Sequence, residues 1–160
     1  MSRADGTAKR LLDVLLVDDD RSDIALFLTA VKQSALNVLT RPVESVQTAI
    51  AYLEDNSPNR SRQQFPDIVV LDWSMPGKSG ADFLRWRKRQ PLLAKLPVLI
   101  LSGVVDPRAA AQAIELGAIG YLAKPAGFEE WVELVRQVWD LGVQRSSQTE
   151  LPKPDIRREL

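Results

Sequence analysis

Apolar runs that alternate with amphipathic stretches constrain the fold of this chain more than any other feature. Three short runs, VLLV at residues 14–17, IVVL at 68–71 and PVLIL at 97–101, carry apolar side chains at every position. A strand has such a continuous apolar run when helices cover both faces of its sheet. Weaker strand patterns at 37–43 and 119–125 bring the predicted number of strands to five.

Helical periodicity fills the segments between these strands. Apolar residues recur at three- and four-residue spacing in five stretches, which begin near residues 20, 46, 80, 107 and 128. Five strands that alternate with five helices predict an α/β fold, in which helices cover both faces of a parallel sheet. The last helix is predicted to end at Leu141, and the polar, turn-rich residues 55–66 predict an exposed loop.

Length and charge limit the number of domains and the classes of partner that we expect for this chain. Its 160 residues fit one domain, and we predict an N-terminal extension at 1–12, a folded domain at 13–141 and a flexible C-terminal tail at 142–160. Basic and acidic residues number 21 each, so no net field favours nucleic acid or an anionic membrane as a partner. No apolar run approaches the roughly 20 residues of a spanning helix, and we expect a cytoplasmic location.

Polar side chains stand where four of the five predicted strands end. Asp18 and Asp19 follow the first strand, Asp72 the third, Ser102 the fourth and Lys124 the fifth. Each has an ordinary explanation alone, as a helix cap, a turn residue or a solvated end of a strand. Parallel sheets, however, bring the carboxyl ends of their strands to one edge, where α/β proteins bind ligands. The sequence therefore predicts one site that contains all five side chains.

This combination of side chains predicts a metal-dependent phosphoryl site. Three carboxylates at one place repel one another, and a cation relieves that repulsion. The chain contains no cysteine and no histidine, so oxygen ligands favour Mg²⁺, Mn²⁺ or Ca²⁺, of which Mg²⁺ suits a site that binds phosphate. A lysine and a hydroxyl are groups that bind phosphoryl oxygens, and a carboxylate is available as a nucleophile.

Four motifs in order resemble the receiver domain of two-component response regulators, including the single-domain chemotaxis regulator. VLLVDDD resembles the acidic-pair segment of that family, DIVVLDWSMPGKSG its phosphoacceptor segment, PVLILSG its Ser/Thr segment and GAIGYLAKP its Lys-Pro segment. The resemblance covers residues 13–141. It implies a flavodoxin-like, doubly wound sheet of five parallel strands in the order 2-1-3-4-5.

The resemblance implies roles for the acidic residues. Asp72 corresponds to the phosphorylated aspartate, Asp19 to a direct ligand of Mg²⁺ or Mn²⁺, and Asp18 to the acid that contacts the metal through water. Asp72 also belongs to the metal site, and the backbone carbonyl of Ser74 corresponds to the third protein ligand.

The remaining residues of the motifs correspond to the groups that respond to the phosphoryl group. Ser102 corresponds to the hydroxyl that bonds a phosphoryl oxygen, and Lys124 to the cation that neutralises its charge. Tyr121 corresponds to the aromatic side chain that swings inward when this hydroxyl moves. The family pattern also implies a cis peptide bond between Lys124 and Pro125.

By the same resemblance, the chain is a single-domain response regulator and not an enzyme in the ordinary sense. A partner histidine kinase, of the phytochrome type by sub-family similarity, phosphorylates Asp72, and output occurs by contact with a downstream protein target. The resemblance further implies that the chain catalyses its own phosphotransfer. We expect its self-dephosphorylation to be slow, because Val104 offers no polar group that orients water. Leu134 and Leu141 lie beside the apolar stripe of the last helix and leave room for a homodimer surface there.

Two alternatives remain at this stage. A haloacid-dehalogenase-like phosphatase uses an aspartate nucleophile after its first strand, and Asp18-x-Asp20-x-Ser22 comes close to its motif. That family needs another acidic pair after its lysine, and beyond Lys124 glutamates follow only inside a helix. The second alternative is a receiver-shaped interaction module that is never phosphorylated.

Overall fold

Five parallel strands form one sheet in the order β2-β1-β3-β4-β5, as predicted. The computed structural model of the protein describes residues 10–56 and 65–150, with side chains described as far as Arg145. The strands are β1 (Leu12–Val17), β2 (Val38–Val43), β3 (Ile68–Asp72), β4 (Val98–Ser102) and β5 (Gly120–Ala123). The helices are α1 (Arg21–Ser34), α2 (Val46–Asp55), α3 (Gly80–Lys88), α4 (Pro107–Glu115) and α5 (Phe128–Glu150), with a 3-10 turn at Pro91–Leu93.

The sheet separates two hydrophobic clusters, one on each face. β1, β3 and β4 are buried at every position, and their alternating side chains enter opposite clusters. Residues of α2, α3 and α4 complete one cluster, and residues of α1 and α5 complete the other. Burial on both faces explains why these three strands are continuous apolar runs.

The strand register brings the carboxyl ends of four strands to one edge. Val17 pairs with Leu71 across β1 and β3, and Asp72 pairs with Leu101 across β3 and β4. Ser102 of β4 pairs with Ala123 at the end of β5. Asp18, Asp72, Ser102 and Lys124 therefore all stand within one residue of the same edge, as the sequence predicts.

Helix caps fix where the chain turns away from this edge. The side chain of Asp20 accepts hydrogen bonds from the backbone N–H groups of Ser22 and Asp23 and so begins α1. Ser79 and Asp82 form a reciprocal capping box at the start of α3. These caps start each helix a short loop after the strand end, which keeps the site residues on short, fixed segments.

The last helix is longer than predicted. α5 comprises 23 residues and continues through Glu150, so the predicted end of the last helix at Leu141 is wrong, and residues 142–150 of the predicted tail are helical. Gly142 is buried against Leu12, and Val143 packs on the cluster shared with α1. The apolar face of the helix thus extends past its predicted end. Residues 151–160 of the predicted tail lie outside the described residues.

Two leucines of α5 pack inside the protein. Leu134 is only 4% exposed, and Leu141 is half-buried against the same cluster. The apolar surface on which the homodimer prediction depends is therefore largely covered, whereas Phe128, at the start of the same helix, is 38% exposed.

Some predictions fall on segments that are only partly described. Of the predicted extension, residues 1–9 lie outside the described residues, and β1 already begins at Leu12. Of the predicted loop, 57–64 lie outside them, while Asp55 and Asn56 close α2. Within the part of the chain that the structure describes, no helix is both long and apolar enough to cross a membrane.

Candidate functional site

Three aspartates converge at the carboxyl edge of the sheet. One carboxylate oxygen each from Asp18, Asp19 and Asp72 lie within 4.8 Å of one another. Asp18 and Asp72 are buried, at 2% and 6% exposed, whereas Asp19 is exposed. The backbone N–H of Asp20 donates to Asp18 Oδ1 at 2.9 Å, which fixes the orientation of that buried carboxylate. The cluster contains the three aspartates that the sequence assigns to the metal site.

Burial makes negative charge in this cluster unfavourable. Desolvation, followed by the charge of Asp18, raises the pKa of Asp72 to about 6, although Lys124 opposes the shift. Desolvation also raises the pKa of Asp18, against the opposing hydrogen bonds from the Asp20 backbone and from Lys124. One ammonium does not balance the carboxylates, so a further cation is favourable at this position.

Lys124 lies at the centre of the site. Its Nζ is 2.8 Å from Asp23 Oδ2, 3.1 Å from Asp18 Oδ2 and 3.4 Å from Asp72 Oδ2. Burial alone would lower the pKa of Lys124, but the hydrogen bonds to Asp23 and Asp18 and the nearby charges raise it above its ordinary value. The lysine is therefore an ammonium ion that directly contacts the carboxylate of Asp72.

Ser102 and Tyr121 share one acceptor. The hydroxyl of Ser102 donates to the carbonyl oxygen of Val104 at 2.7 Å, and the hydroxyl of Tyr121 donates to the same oxygen at 3.2 Å. The backbone N–H of Val104 in turn donates to Ser102 Oγ at 3.2 Å. The residues predicted as switch elements are thus joined through the loop that follows β4.

The loop after β3 holds an aromatic side chain beside Asp72. The backbone N–H of Ser74 donates to Asp72 Oδ1 at 3.4 Å, which keeps this backbone next to the acidic cluster. The ring of Trp73 meets the ring of Tyr121 edge-on, with 6.0 Å between centroids. A Cβ at Gly80 would lie 2.9 Å from the Trp73 ring, so the glycine at the start of α3 allows the close packing of Trp73.

Asp23 is the residue of the site that the sequence reasoning misses. It lies in the first turn of α1, after the acidic-pair motif that predicts Asp18 and Asp19 as site residues. Its carboxylate nevertheless makes the shortest contact of Lys124, across 101 residues of sequence. The signal available in the sequence is its spacing, since a side chain one turn after the acidic pair points back over the same edge.

The donor set fits a hard divalent cation. All three converging groups are carboxylates, and two of them are buried beside an incompletely balanced charge. Oxygen-only ligands favour Mg²⁺, Mn²⁺ or Ca²⁺ over softer metals. After small side-chain movements, one such ion can contact all three residues.

The sequence matches the family model described as the response regulator receiver domain over residues 14–136. The chain belongs to the response regulator receiver family. It is thus a receiver domain of the two-component type, as the four motifs predict. The phosphatase alternative is not supported, because the family model that matches the chain is that of the receiver domain.

Relatives of known name agree with this assignment. The phosphate regulon transcriptional regulatory protein PhoB of Pseudomonas aeruginosa is 29% identical over 125 residues, which cover 78% of this chain and 50% of that protein. PhoB of Escherichia coli is 31% identical over 84 residues, 52% of this chain and 37% of that protein. The chain therefore spans half or less of the length of these relatives.

Solved structures similar to this chain include two response regulators that are named for phytochromes. The phosphorylated cyanobacterial phytochrome response regulator RcpA superimposes with a TM-score of 0.73 at 25% identity, over 84% of this chain and 95% of that chain. The bacteriophytochrome response regulator RtBRR gives a TM-score of 0.64 at 28% identity, over 79% of this chain and 77% of that chain.

The bond between Lys124 and Pro125 differs from the family expectation. No peptide bond of the described residues is cis, so this bond is trans, which is the isomer favoured by ~0.5–1 kcal/mol before proline.

Proposed function

We propose that Asp72 accepts a phosphoryl group from a phosphohistidine of a partner kinase, in a reaction that requires Mg²⁺ or Mn²⁺. The observation that supports this role most directly is the contact of Lys124 with Asp72, at 3.4 Å, beside Asp18 and Asp19. Of the three converging aspartates, Asp72 is the one that lies within a buried strand, and its carboxylate also contacts an ammonium ion.

The transfer balances without a further reactant. An oxygen of the Asp72 carboxylate bonds to phosphorus, and the phosphorus–nitrogen bond of the phosphohistidine breaks. The electron pair stays on the ring nitrogen, which leaves as neutral imidazole when the other ring nitrogen carries a proton. Asp18, Asp19, Asp72 and the backbone carbonyl of Ser74 would hold Mg²⁺, which would neutralise charge on the phosphoryl oxygens.

The chain's own residues position and neutralise the product. Lys124 pairs with one phosphoryl oxygen, and Ser102 exchanges its bond to Val104 for a bond to another. Loss of the Ser102 bond changes the loop whose carbonyl also holds Tyr121, and this couples the site to the surface around α4 and β5. Output then occurs through contact with a downstream protein.

Phosphorylation with a small donor tests this function. We expect the full chain with acetyl phosphate and Mg²⁺ to gain one phosphoryl group, detected by intact-protein mass spectrometry. Asp72→Asn abolishes the gain, and chelation of the metal prevents it. The exposed variant Asp140→Asn is the matched control and retains it. Uptake that persists in Asp72→Asn contradicts the assignment, and no uptake in the wild type favours a receiver-shaped module that is never phosphorylated.

We further propose a phytochrome-type histidine kinase as the donor. The likeness to RcpA and RtBRR, both named as phytochrome response regulators, supports this class. Phosphotransfer from a panel of purified kinases tests it: the phytochrome-type kinase is expected to transfer fastest, and faster transfer from an unrelated kinase contradicts it.

Slow self-dephosphorylation is also proposed. Val104 follows Ser102 by two residues, and its apolar side chain has no group that could orient a water molecule over Asp72. We expect Val104→Gln to shorten the half-life of the phosphorylated protein several-fold. An unchanged half-life would remove Val104 as the cause.

A further inference from the structure

Lys124 has three carboxylate neighbours, of which two belong to the acidic cluster and one does not. Asp18 and Asp72, at 3.1 Å and 3.4 Å from Nζ, belong to the acidic cluster that fits a divalent cation. Asp23, at 2.8 Å, is nearest and is not one of the three aspartates whose oxygens converge. The ammonium thus has two contacts that a metal ion competes for and one that it does not.

A bound cation changes the balance among these contacts. A divalent ion on Asp18 and Asp72 neutralises their charge and repels the positively charged Lys124 at short range. Asp23 keeps its charge, and its contact with Lys124 is largely shielded from solvent, with side chains 20% and 16% exposed. In the metal-loaded site, Asp23 is therefore the carboxylate that retains the ammonium.

Both ends of this ion pair are fixed to the framework. The cap of Asp20 binds the backbone N–H of Asp23 at 3.2 Å and places it in the first turn of α1. The backbone N–H of Lys124 donates to the carbonyl of Ser102 at 2.8 Å and continues the ladder between β4 and β5. A pair held at both ends restricts where the long lysine side chain can place its charge.

We propose that Asp23 is the positioning residue of Lys124. It holds the ammonium beside Asp72 while Asp18 and Asp72 bind the cation, and it thereby sets both the affinity for Mg²⁺ and the rate of phosphoryl uptake. This inference rests on the proposed phosphorylation of Asp72. Without Asp23, Lys124 competes with the cation for Asp18 and Asp72, and in the loaded site it turns toward solvent.

The substitution Asp23→Asn tests the proposal, because it keeps the shape of the side chain and removes the charge. Binding of Mg²⁺ is followed by tryptophan fluorescence, to which Trp73, directly after Asp72 in the chain, contributes as one of four tryptophans. We expect the Mg²⁺ concentration at half-saturation to rise roughly tenfold, the effect of one charge-assisted hydrogen bond. The initial rate of phosphorylation by acetyl phosphate at saturating Mg²⁺ is expected to fall by a similar factor.

Two matched variants separate this contact from loss of charge in general. Asp23→Glu keeps the carboxylate and is expected to restore most of the affinity and rate. Glu44→Gln removes a carboxylate at the same end of the sheet, where it pairs with Arg21 at 3.2 Å in an exposed position, and is expected to leave both values within twofold of the wild type. A loss in Glu44→Gln as large as in Asp23→Asn overturns the proposal.

A double-mutant cycle decides whether Asp23 acts through Lys124. In a Lys124→Met background, Asp23→Asn is expected to leave the half-saturating Mg²⁺ concentration unchanged. An equal loss in both backgrounds, or no loss in either, overturns the positioning role. If the wild type takes up no phosphoryl group, the proposed function is wrong. The double-mutant cycle still decides the role of Asp23, because it measures Mg²⁺ binding and not phosphorylation.

Discussion

At the scale of single residues, Arg87 shows how a buried charge can be used for structure. This arginine of α3 is 5% exposed, and its guanidinium donates to the carbonyls of Leu93, Ala94, Leu96 and Gly117 at 2.7–3.3 Å. It therefore ties α3 to the 3-10 turn and to the turn after α4, where backbone oxygens would otherwise lack donors.

We expect Arg87→Met to destabilise the protein by about 3–5 kcal/mol. Methionine fills a similar volume but leaves buried carbonyls unpaired, at ~1–3 kcal/mol for each group that finds no water. Urea unfolding measures the loss. Arg85→Met, on the same helix but 49% exposed, is the control and should change stability by about 0.5 kcal/mol or less. Equal effects of the two variants would refute the role of Arg87.

Asp13 is buried far from the acidic cluster and makes stability depend on pH. Its side chain pairs with Arg41 Nε at 3.3 Å, but burial raises its pKa from 3.8 to about 6, with Arg41 opposing the shift. Between these values the folded state binds a proton that the unfolded state has released. The contribution of Asp13 to the free energy of unfolding is therefore largest below pH 4. This contribution is lost as the pH rises from 4 through 6.

The variant Asp13→Asn isolates this dependence, because asparagine cannot ionise. The wild type is expected to lose roughly 3 kcal/mol relative to the variant between pH 4 and pH 7, at about 1.4 kcal/mol for each unit of pKa shift. Urea unfolding of both proteins across this range measures the difference. Parallel stability profiles would mean that Asp13 does not titrate as its burial requires.

At the scale of elements, the contact between α5 and β1 leaves no room for a side chain at position 142. A Cβ at Gly142 would lie 2.6 Å from Cδ1 of Leu12, which is fully buried at the start of β1. Alanine at a helix interior normally gains about 1 kcal/mol over glycine. Here the methyl group must displace a core side chain, and overpacking costs ~1–3 kcal/mol.

We therefore expect Gly142→Ala to destabilise the protein by about 1 kcal/mol, against the helix propensity. In a Leu12→Ala background the space is open, and the same change is expected to be stabilising. Thermal unfolding of the four proteins of this cycle tests the sign in each background. A stabilising effect in the wild-type background would show that the Leu12 side chain moves aside without a loss of stability.

Burial determines which elements the sequence predicts well. β1, β3 and β4 are predictable because both of their faces are covered, and each carries an unbroken apolar run. The end of α5 is not predictable, since the fit of Gly142 against Leu12 is a tertiary contact. The ion pair of Asp23 with Lys124 is missed for the same reason, because it joins residues 101 positions apart.

The edge itself is predictable from the parallel topology. That rule places Asp18, Asp72, Ser102 and Lys124 together without any knowledge of side-chain directions. It does not reveal that the hydroxyl of Ser102 binds the Val104 carbonyl, because the choice among nearby acceptors depends on the loop conformation.

At the scale of the whole molecule, the acidic cluster links metal binding to global stability. A cation that binds the folded chain and not the unfolded one stabilises it by about 2.7 kcal/mol at 100 times its dissociation constant. We expect saturating Mg²⁺ to raise the Tm by roughly 5–10 °C, given 2–4 °C for each kcal/mol in a protein of this size.

Scanning calorimetry at constant ionic strength measures this shift. Asp19→Asn is expected to unfold near the wild-type temperature in EDTA, because Asp19 is exposed, but to lose most of the Mg²⁺ response. A response that survives in this variant would place the cation elsewhere.

The unequal burial of the strands divides the carboxyl edge into a fixed half and a compliant half. Asp18 and Asp72 extend from β1 and β3, which are buried at every position, whereas Tyr121 and Lys124 belong to β5 and its end, a four-residue edge strand that is half-buried at best. Amide hydrogens of β5 should therefore exchange with solvent through local openings far smaller than global unfolding. Asp72, the proposed phosphoacceptor, therefore stands on a fully buried strand, whereas Tyr121 and Lys124, proposed to respond to its phosphorylation, stand on or directly after an edge strand that opens more easily than β1 or β3.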